Sequence, residues 1–301
     1  MPKFGRRSKI IIISLVCILL LAMGGILFPV DEPEVSLPAE EVFSIGGFEI
    51  TNTMLAAWLS ILVLGGVCYA ATRKMKLVPR GLQNVVEAAV EALLNFVEGA
   101  AGKEYGRKFF PLVATIFLFV IANAWLGLIP GFMSIGFWQT GEEDKFIEPL
   151  FRGANTDINV PLALALVSFV FVEYWGIRSQ GFFRYMKKFI NVRPLFHSLG
   201  QVFRGKIRSG LGGMVTGIIG AFAGFIEMLS ELIRVVSFTF RLFGNMTAGE
   251  LLLLVMIFLI PWVAAIPFYG LELFLGFVQA LIFGGLTLVF LMIAVTPVEE
   301  H

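Results

Sequence analysis

Arg241 carries a charge where charge is hardest to keep. It opens the run Arg241-Leu242-Phe243-Gly244-Asn245-Met246-Thr247-Ala248-Gly249-Glu250, inside an apolar tract from about Leu211 to Leu259. A guanidinium does not shed its proton, and an arginine at mid-bilayer costs roughly 3 kcal/mol on insertion scales. Such a cation must face protein or water, and it marks a path for ions or protons. Helical phase sorts the other polar residues of the tract. At about 100° per residue, Glu227, Arg234, Ser237, Arg241 and Asn245 fall on one stripe of an otherwise apolar cylinder. Glu250 points the opposite way and lies roughly 13 Å further along the axis. Ionisable groups on opposite faces and at different depths suit two separate aqueous cavities better than one continuous pore. Downstream, Glu272 and Gln279 are seven residues apart, hence on one helical face. The chemistry these types support is the handover of protons or ions past a fixed cation. His197 and His301 are too few and too scattered for a metal cluster, and no soluble stretch is available to house a conventional active site.

Plain structural readings stand beside these. Glu227 and Arg234 can pair with each other, or Arg234 can snorkel to an inner interface. Ser237, Asn245 and Gln279 can serve as interhelical glue. Glu272, near the start of its helix, can complement the helix dipole. Arg241 and Glu250 resist such readings best, because each sits deep in apolar sequence.

The elements that must position them are membrane helices. Of 301 residues, 57% are hydrophobic and only 15% charged, with a mean hydropathy of +0.86; soluble chains average roughly a quarter charged. Several apolar runs reach the ~20 residues that cross a bilayer as a helix, and alternating strands that would signal a membrane barrel are absent. The fold class is therefore an all-α polytopic membrane protein. Cys17 and Cys68 lie within apolar runs and read as small buried hydrophobes.

Charge placement orients the spans. Lys3, Arg6, Arg7 and Lys9 precede an apolar run from Ile10 to Phe28, so residues 1–30 read as a signal peptide or a signal anchor. Residues 31–51 form an acidic external segment, and 52–301 the membrane domain. The first span, about Asn52 to Thr72, ends at Arg73, Lys74, Lys76 and Arg80, a cytoplasmic exit. Gly81 to Gly102 reads as an amphipathic helix at the inner surface. Spans follow at about Phe109 to Ile129 and Ile158 to Trp175, separated by an external loop with Glu142, Glu143, Asp144 and Glu148. The next loop is strongly basic, from Arg178 to Arg208. The tract from Leu211 to Leu259 would measure roughly 70 Å as one helix, more than twice a bilayer core. No proline interrupts it before Pro261, so a long, steeply tilted helix is expected. A last span, about Leu271 to Val295, leaves the C-terminus in the cytoplasm.

The run Ser237 to Leu253, with its RLFGNMTAGELLL core, closely resembles the hallmark segment of subunit a of the F-type ATP synthase membrane sector. Asn123-Ala124-Trp125-Leu126-Gly127-Leu128-Ile129-Pro130, Thr156-Asp157-Ile158-Asn159-Val160 and Gln279-Ala280-Leu281-Ile282-Phe283 resemble further elements of that family, in order. The resemblance implies about five helices including a long, tilted C-terminal hairpin. It also implies a non-catalytic stator role, while the positively charged start and hydrophobic leader favour a bacterial plasma membrane over an organelle. Two offset half-channels would protonate and deprotonate the carboxylates of a neighbouring c-subunit ring. The implied partners are that ring, the b subunits of the peripheral stalk, the remaining synthase and membrane lipid, with no cofactor, metal or nucleic acid. By the same resemblance Arg241 is the essential arginine and Asn245 its neighbour. Glu250, Glu272, Gln279, Asn123 and Ser237 belong to the proton path, and Glu227 to the cytoplasmic exit. Glu272 stands where many members have histidine, and Ala163 where some have serine. The competing class, a self-contained ion-coupled secondary transporter, would show broken segments in two matching halves; no such symmetry is visible.

Overall fold

The computed structural model describes Val16 and residues 38–140, 145–189, 207–259 and 265–296. The proposed leader apart from Val16, the loop acids Glu142, Glu143 and Asp144, much of the basic loop including His197, and Pro261 and His301 lie outside the described residues. The elements run β1 (Glu41–Ile45), β2 (Phe48–Thr51), α1 (Asn52–Thr72), α2 (Leu82–Gly127), β3 (Gly136–Thr140), β4 (Lys145–Pro149), α3 (Asn159–Gln180), α4 (Phe182–Phe189), α5 (Ile207–Leu259) and α6 (Ala265–Val295). Five of the helices are long and apolar enough to cross a membrane, so the chain is a multi-pass membrane protein of all-α class. The strands form two antiparallel hairpins, β1–β2 and β3–β4, which the sequence pattern did not announce.

Helix α1 starts where Thr51 accepts the Met54 N–H through its side-chain oxygen at 3.4 Å, an N-cap contact that satisfies one of the orphan amides of the first turn. Cys68 is exposed rather than buried. Its neighbours Ile61, Leu62, Val67 and Tyr69 are exposed as well; an apolar run in a membrane span turns outward to lipid as readily as inward to protein. Helix α2 joins the expected amphipathic segment to the following span but is broken at Gly102, whose φ of 73° and ψ of 166° are non-helical. Only glycine adopts that backbone readily, so the two segments are separate helices meeting at a glycine hinge. Across the hinge, Arg107 Nε donates to Glu98 Oε1 at 2.9 Å. Helix α5 runs unbroken for 53 residues, as its length and lack of proline predicted. Helix α6 begins at Ala265, earlier than Leu271; Pro267 falls in its first turn, where a missing N–H disrupts no helical bond.

The described residues divide into two compact units. The first comprises those of Met1–Tyr69, Leu118–Asp157 and Leu242–Leu281, the second those of Ala70–Phe117, Ile158–Arg241 and Ile282–His301. The first unit is stitched by buried polar contacts. Thr53 donates to Asp157 Oδ2 at 2.9 Å, Ser60 to Asn123 Oδ1 at 2.7 Å, and Asn155 Nδ2 to the Val120 carbonyl at 3.3 Å. In lipid each such group must be satisfied internally, so these bonds fix α1 and the loop before α3 to the end of α2. The second unit has an apolar core of Val97, Phe109, Val113, Val172, Leu288, Leu291 and Ala294. There the Trp175 ring meets Phe109 edge-on at 5.4 Å. Gln180 Nε2 donates to the Ala294 and Thr296 carbonyls at 2.8 and 3.0 Å, tying the last turns of α3 and α6.

Candidate functional site

Within the first unit a cavity of about 240 Å³ opens between the end of α2, the loop before α3, the last third of α5 and the start of α6. Asn123, Asn155, Thr156, Glu250, Tyr269 and Glu272 supply its polar lining, with Met246 and Leu253 among the apolar residues. Asn123 reaches it because its helix ends just beyond, and its own amide donates to the Phe119 carbonyl at 3.0 Å. Glu272 is 5% exposed and lies in the third turn of α6, beyond the reach of a first-turn dipole contact. Its carboxylate rests against Gly249: a Cβ at Gly249 would fall on the Glu272 carboxyl group. Residue 249 therefore has to be glycine for the Glu272 carboxyl to sit where it does.

Asn245 and Gln279 meet directly, Asn245 Nδ2 donating to Gln279 Oε1 at 2.8 Å. The Gln279 Nε2 and the Thr247 hydroxyl are buried with no hydrogen-bond partner among the described residues. Thus the first unit gathers Asn123, Glu250 and Glu272 around one cavity and pairs Asn245 with Gln279.

The second unit holds the remaining sequence candidates. Arg241 is exposed. Its Nη2 donates to Ser237 Oγ at 3.4 Å, and its guanidinium lies 5.9 Å from the Phe238 ring centre. Among the described residues no carboxylate forms an ion pair with it. Exposed Leu229, Leu232, Ile233, Val236 and Phe240 precede it on the same helix. A permanent cation thus stands on an apolar outer surface. Glu227 is half-buried on α5.

Arg234 does not use Glu227 in an ion pair. It pairs with Glu231 at 2.6 Å and stacks on Phe290 with its guanidinium carbon 3.7 Å from the ring centre. The stripe geometry admitted Glu227 as partner at seven residues, but i,i+3 neighbours meet more closely on a helix.

Residues 54–292 match the family described as ATP synthase A chain. The chain belongs to that family. It is 36% identical over 236 residues to the ATP synthase subunit a of Campylobacter jejuni strain 81-176, covering 78% of this chain and 86% of that one. To the ATP synthase subunit a of Helicobacter pylori strain P12 it is 32% identical over 264 residues, covering 86% and 98%. The span matching the ATP synthase A chain family contains Arg241 and every cavity residue named above, and the resemblance expected from RLFGNMTAGELLL is borne out.

Two features escaped the sequence reading. Arg152 is 5% exposed and forms an ion pair with Glu250, Nε to Oε1 at 2.9 Å. The single arginine in the mostly acidic loop between α2 and α3 was the available signal. Tyr185, on α4 and 1% exposed, is pushed well above the usual tyrosine range, chiefly by burial and then by the Glu173 and Glu231 carboxylates. Only tertiary packing brings those groups together.

Proposed function

We propose that the chain is the proton-channel stator subunit of an F-type ATP synthase. It provides two offset half-channels that load and unload the carboxylates of a c-subunit ring, and so couples proton flow to ring rotation. The observation that carries this reading is Arg241, an exposed permanent cation on an apolar helix surface with no carboxylate of the described residues paired to it. A charge so placed suits an anionic partner carried by a neighbouring subunit.

A ring carboxylate facing lipid is costly when ionised and turns only when protonated. Opposite Arg241 it ionises, since a cation within a few ångströms lowers a carboxyl pKa by roughly one to three units. The cavity with Asn123, Glu250 and Glu272 has the polarity and room for a string of water molecules and serves as the outer half-channel. Asn245 and Gln279 extend the polar path toward the rotor, and Ser237 steadies the guanidinium. After nearly a full turn the carboxyl releases its proton toward Glu227 on the cytoplasmic side. Arg241 also keeps the two paths apart, because a second proton carrier cannot pass a fixed cation without a barrier. Each proton is driven by about 2.3 kcal/mol per 100 mV. No bond is made or broken in this chain, and the nucleotide chemistry belongs to partner subunits. The setting is a bacterial plasma membrane with the C-terminus in the cytoplasm and the b subunits of the peripheral stalk holding the stator.

The test is ATP-driven proton pumping by the assembled synthase in inverted vesicles. Arg241→Ala is expected to abolish pumping while the complex still assembles around the ring; intact pumping overturns the reading.

A further inference from the structure

Glu250 is not a free acid lining a channel. Its Oε1 is engaged by Arg152 Nε at 2.9 Å, and the two side chains are only 15% and 6% exposed. The same guanidinium donates through Nη1 to the Pro38 carbonyl at 3.2 Å, so two of its five N–H donors are committed to different chain segments. Arg152 cannot swing away from the carboxylate without breaking its link to residue 38. The other oxygen, Glu250 Oε2, is buried and has no hydrogen-bond partner among the described residues. Glu250 lines the cavity, as does Gly153 beside Arg152.

A buried ion pair is weak evidence for stability, because well-packed apolar residues often do as well. What this pair supplies is orientation: a planar guanidinium holds a carboxylate in a defined plane.

We infer that Arg152 is a positioning residue of the outer half-channel, holding Glu250 by Oε1 so that Oε2 is the oxygen that exchanges protons with the cavity. The inference rests on the proton-channel reading above. A proton taken up at Oε2 leaves from Oε2, and the Arg152 contact at Oε1 persists through both steps. The Pro38 link carries the same restraint to the residues just ahead of β1.

The experiment uses the assembled synthase in vesicles and measures passive proton flux through the membrane sector and ATP-driven pumping, each per assembled complex. Arg152→Gln removes the charge and is expected to lower flux on the order of tenfold, less than the ~10²-fold or more that a proton-transfer group itself contributes, because Arg152 acts only through Glu250. Arg152→Lys, which returns a cation to the same carboxylate, is expected to recover most of it. In a Glu250→Gln background, Arg152→Gln should add no further loss, because residues acting through one contact are not additive. Unchanged flux in Arg152→Gln overturns the inference, and so do losses that multiply in the double variant. Should Arg152→Gln fail to assemble, Arg152→Gln with Glu250→Gln leaves no unpaired buried charge: recovered assembly supports the pairing, and persistent failure overturns it. Arg241→Ala in the same vesicles separates the levels. If it still pumps, the channel reading fails; if it is dead while Arg152→Gln is normal, only the role of Arg152 fails.

Discussion

Gly249 and Glu272 come from different helices, and one occupies the space the other leaves. Because a Cβ on residue 249 would coincide with the Glu272 carboxyl, Gly249→Ala must move something. The obstacle is the flexible end of a side chain rather than backbone, so the carboxyl gives way and the fold survives. The expected outcome is a complex that assembles normally but conducts protons more slowly, by about tenfold, since a displaced Glu272 carboxyl loses only part of the ~10²-fold or more that a well-placed proton carrier contributes. Adding Glu272→Asp, which shortens the side chain by one methylene, is expected to recover part of the flux. Wild-type flux in Gly249→Ala would show that the position of the Glu272 carboxyl is immaterial. Residues of this kind are half legible in sequence. Arg241, Glu250 and Glu272 stand out because a charge in an apolar run has few explanations. Their partners do not stand out: Arg152, the Gly249 clearance and the stacking of Arg234 on Phe290 depend on which helices touch.

Helices were the most readable elements, because bilayer thickness and 1.5 Å per residue leave few solutions for long apolar runs. The unbroken α5 followed from the missing proline, while α6 begins at Ala265 rather than at the expected Leu271, with Pro267 tolerated in its first turn. The β hairpins were missed for a different reason. Residues 41–51 and 136–149 carry acids and glycines rather than a clean apolar alternation, so they read as loops. Packing between elements is less visible still. In the second unit Ser168 Oγ and Thr287 Oγ1 share a hydrogen bond at 2.9 Å, and Thr287 also donates to the Phe283 carbonyl at 2.9 Å; both residues are buried, at 3% and 0% exposure. Such interhelical bonds average about 0.6 kcal/mol and reach about 1.7 kcal/mol. Thr287→Val keeps the shape and removes the hydroxyl, leaving Ser168 unpaired in an apolar setting. The expected cost is about 1 kcal/mol, read as a lower midpoint in detergent denaturation, with pumping per assembled complex unchanged. Ser168→Ala in the same background should recover part of the loss, since removing both partners leaves no orphan.

At the scale of the whole chain, the two units differ in charge. The first has Lys145 and Arg152 as its basic residues among those described, against Glu40, Glu41, Glu49, Glu148, Asp157, Glu250 and Glu272. The second carries Arg73, Lys74, Lys76, Arg80, Arg107, Lys108, Arg178, Arg184 and Lys187, among others. Short loops rich in lysine and arginine stay in the cytoplasm, so the loops that follow α1 and α3 should face inward and the β1–β2 hairpin outward. Two exposed serines report on this, Ser44 in β1 and Ser179 in the last turn of α3. With Cys17 and Cys68 replaced by alanine, Ser44→Cys should react with a membrane-impermeant maleimide in spheroplasts, and Ser179→Cys only in inverted vesicles. The opposite pattern would put the cavity with Glu250 and Glu272 on the cytoplasmic path and exchange the two half-channels. Labelling of both cysteines from one side would require an odd change in the number of crossings between them, contradicting α1, α2 and α3 as three successive spans. The outcome therefore fixes on which side protons meet Glu250.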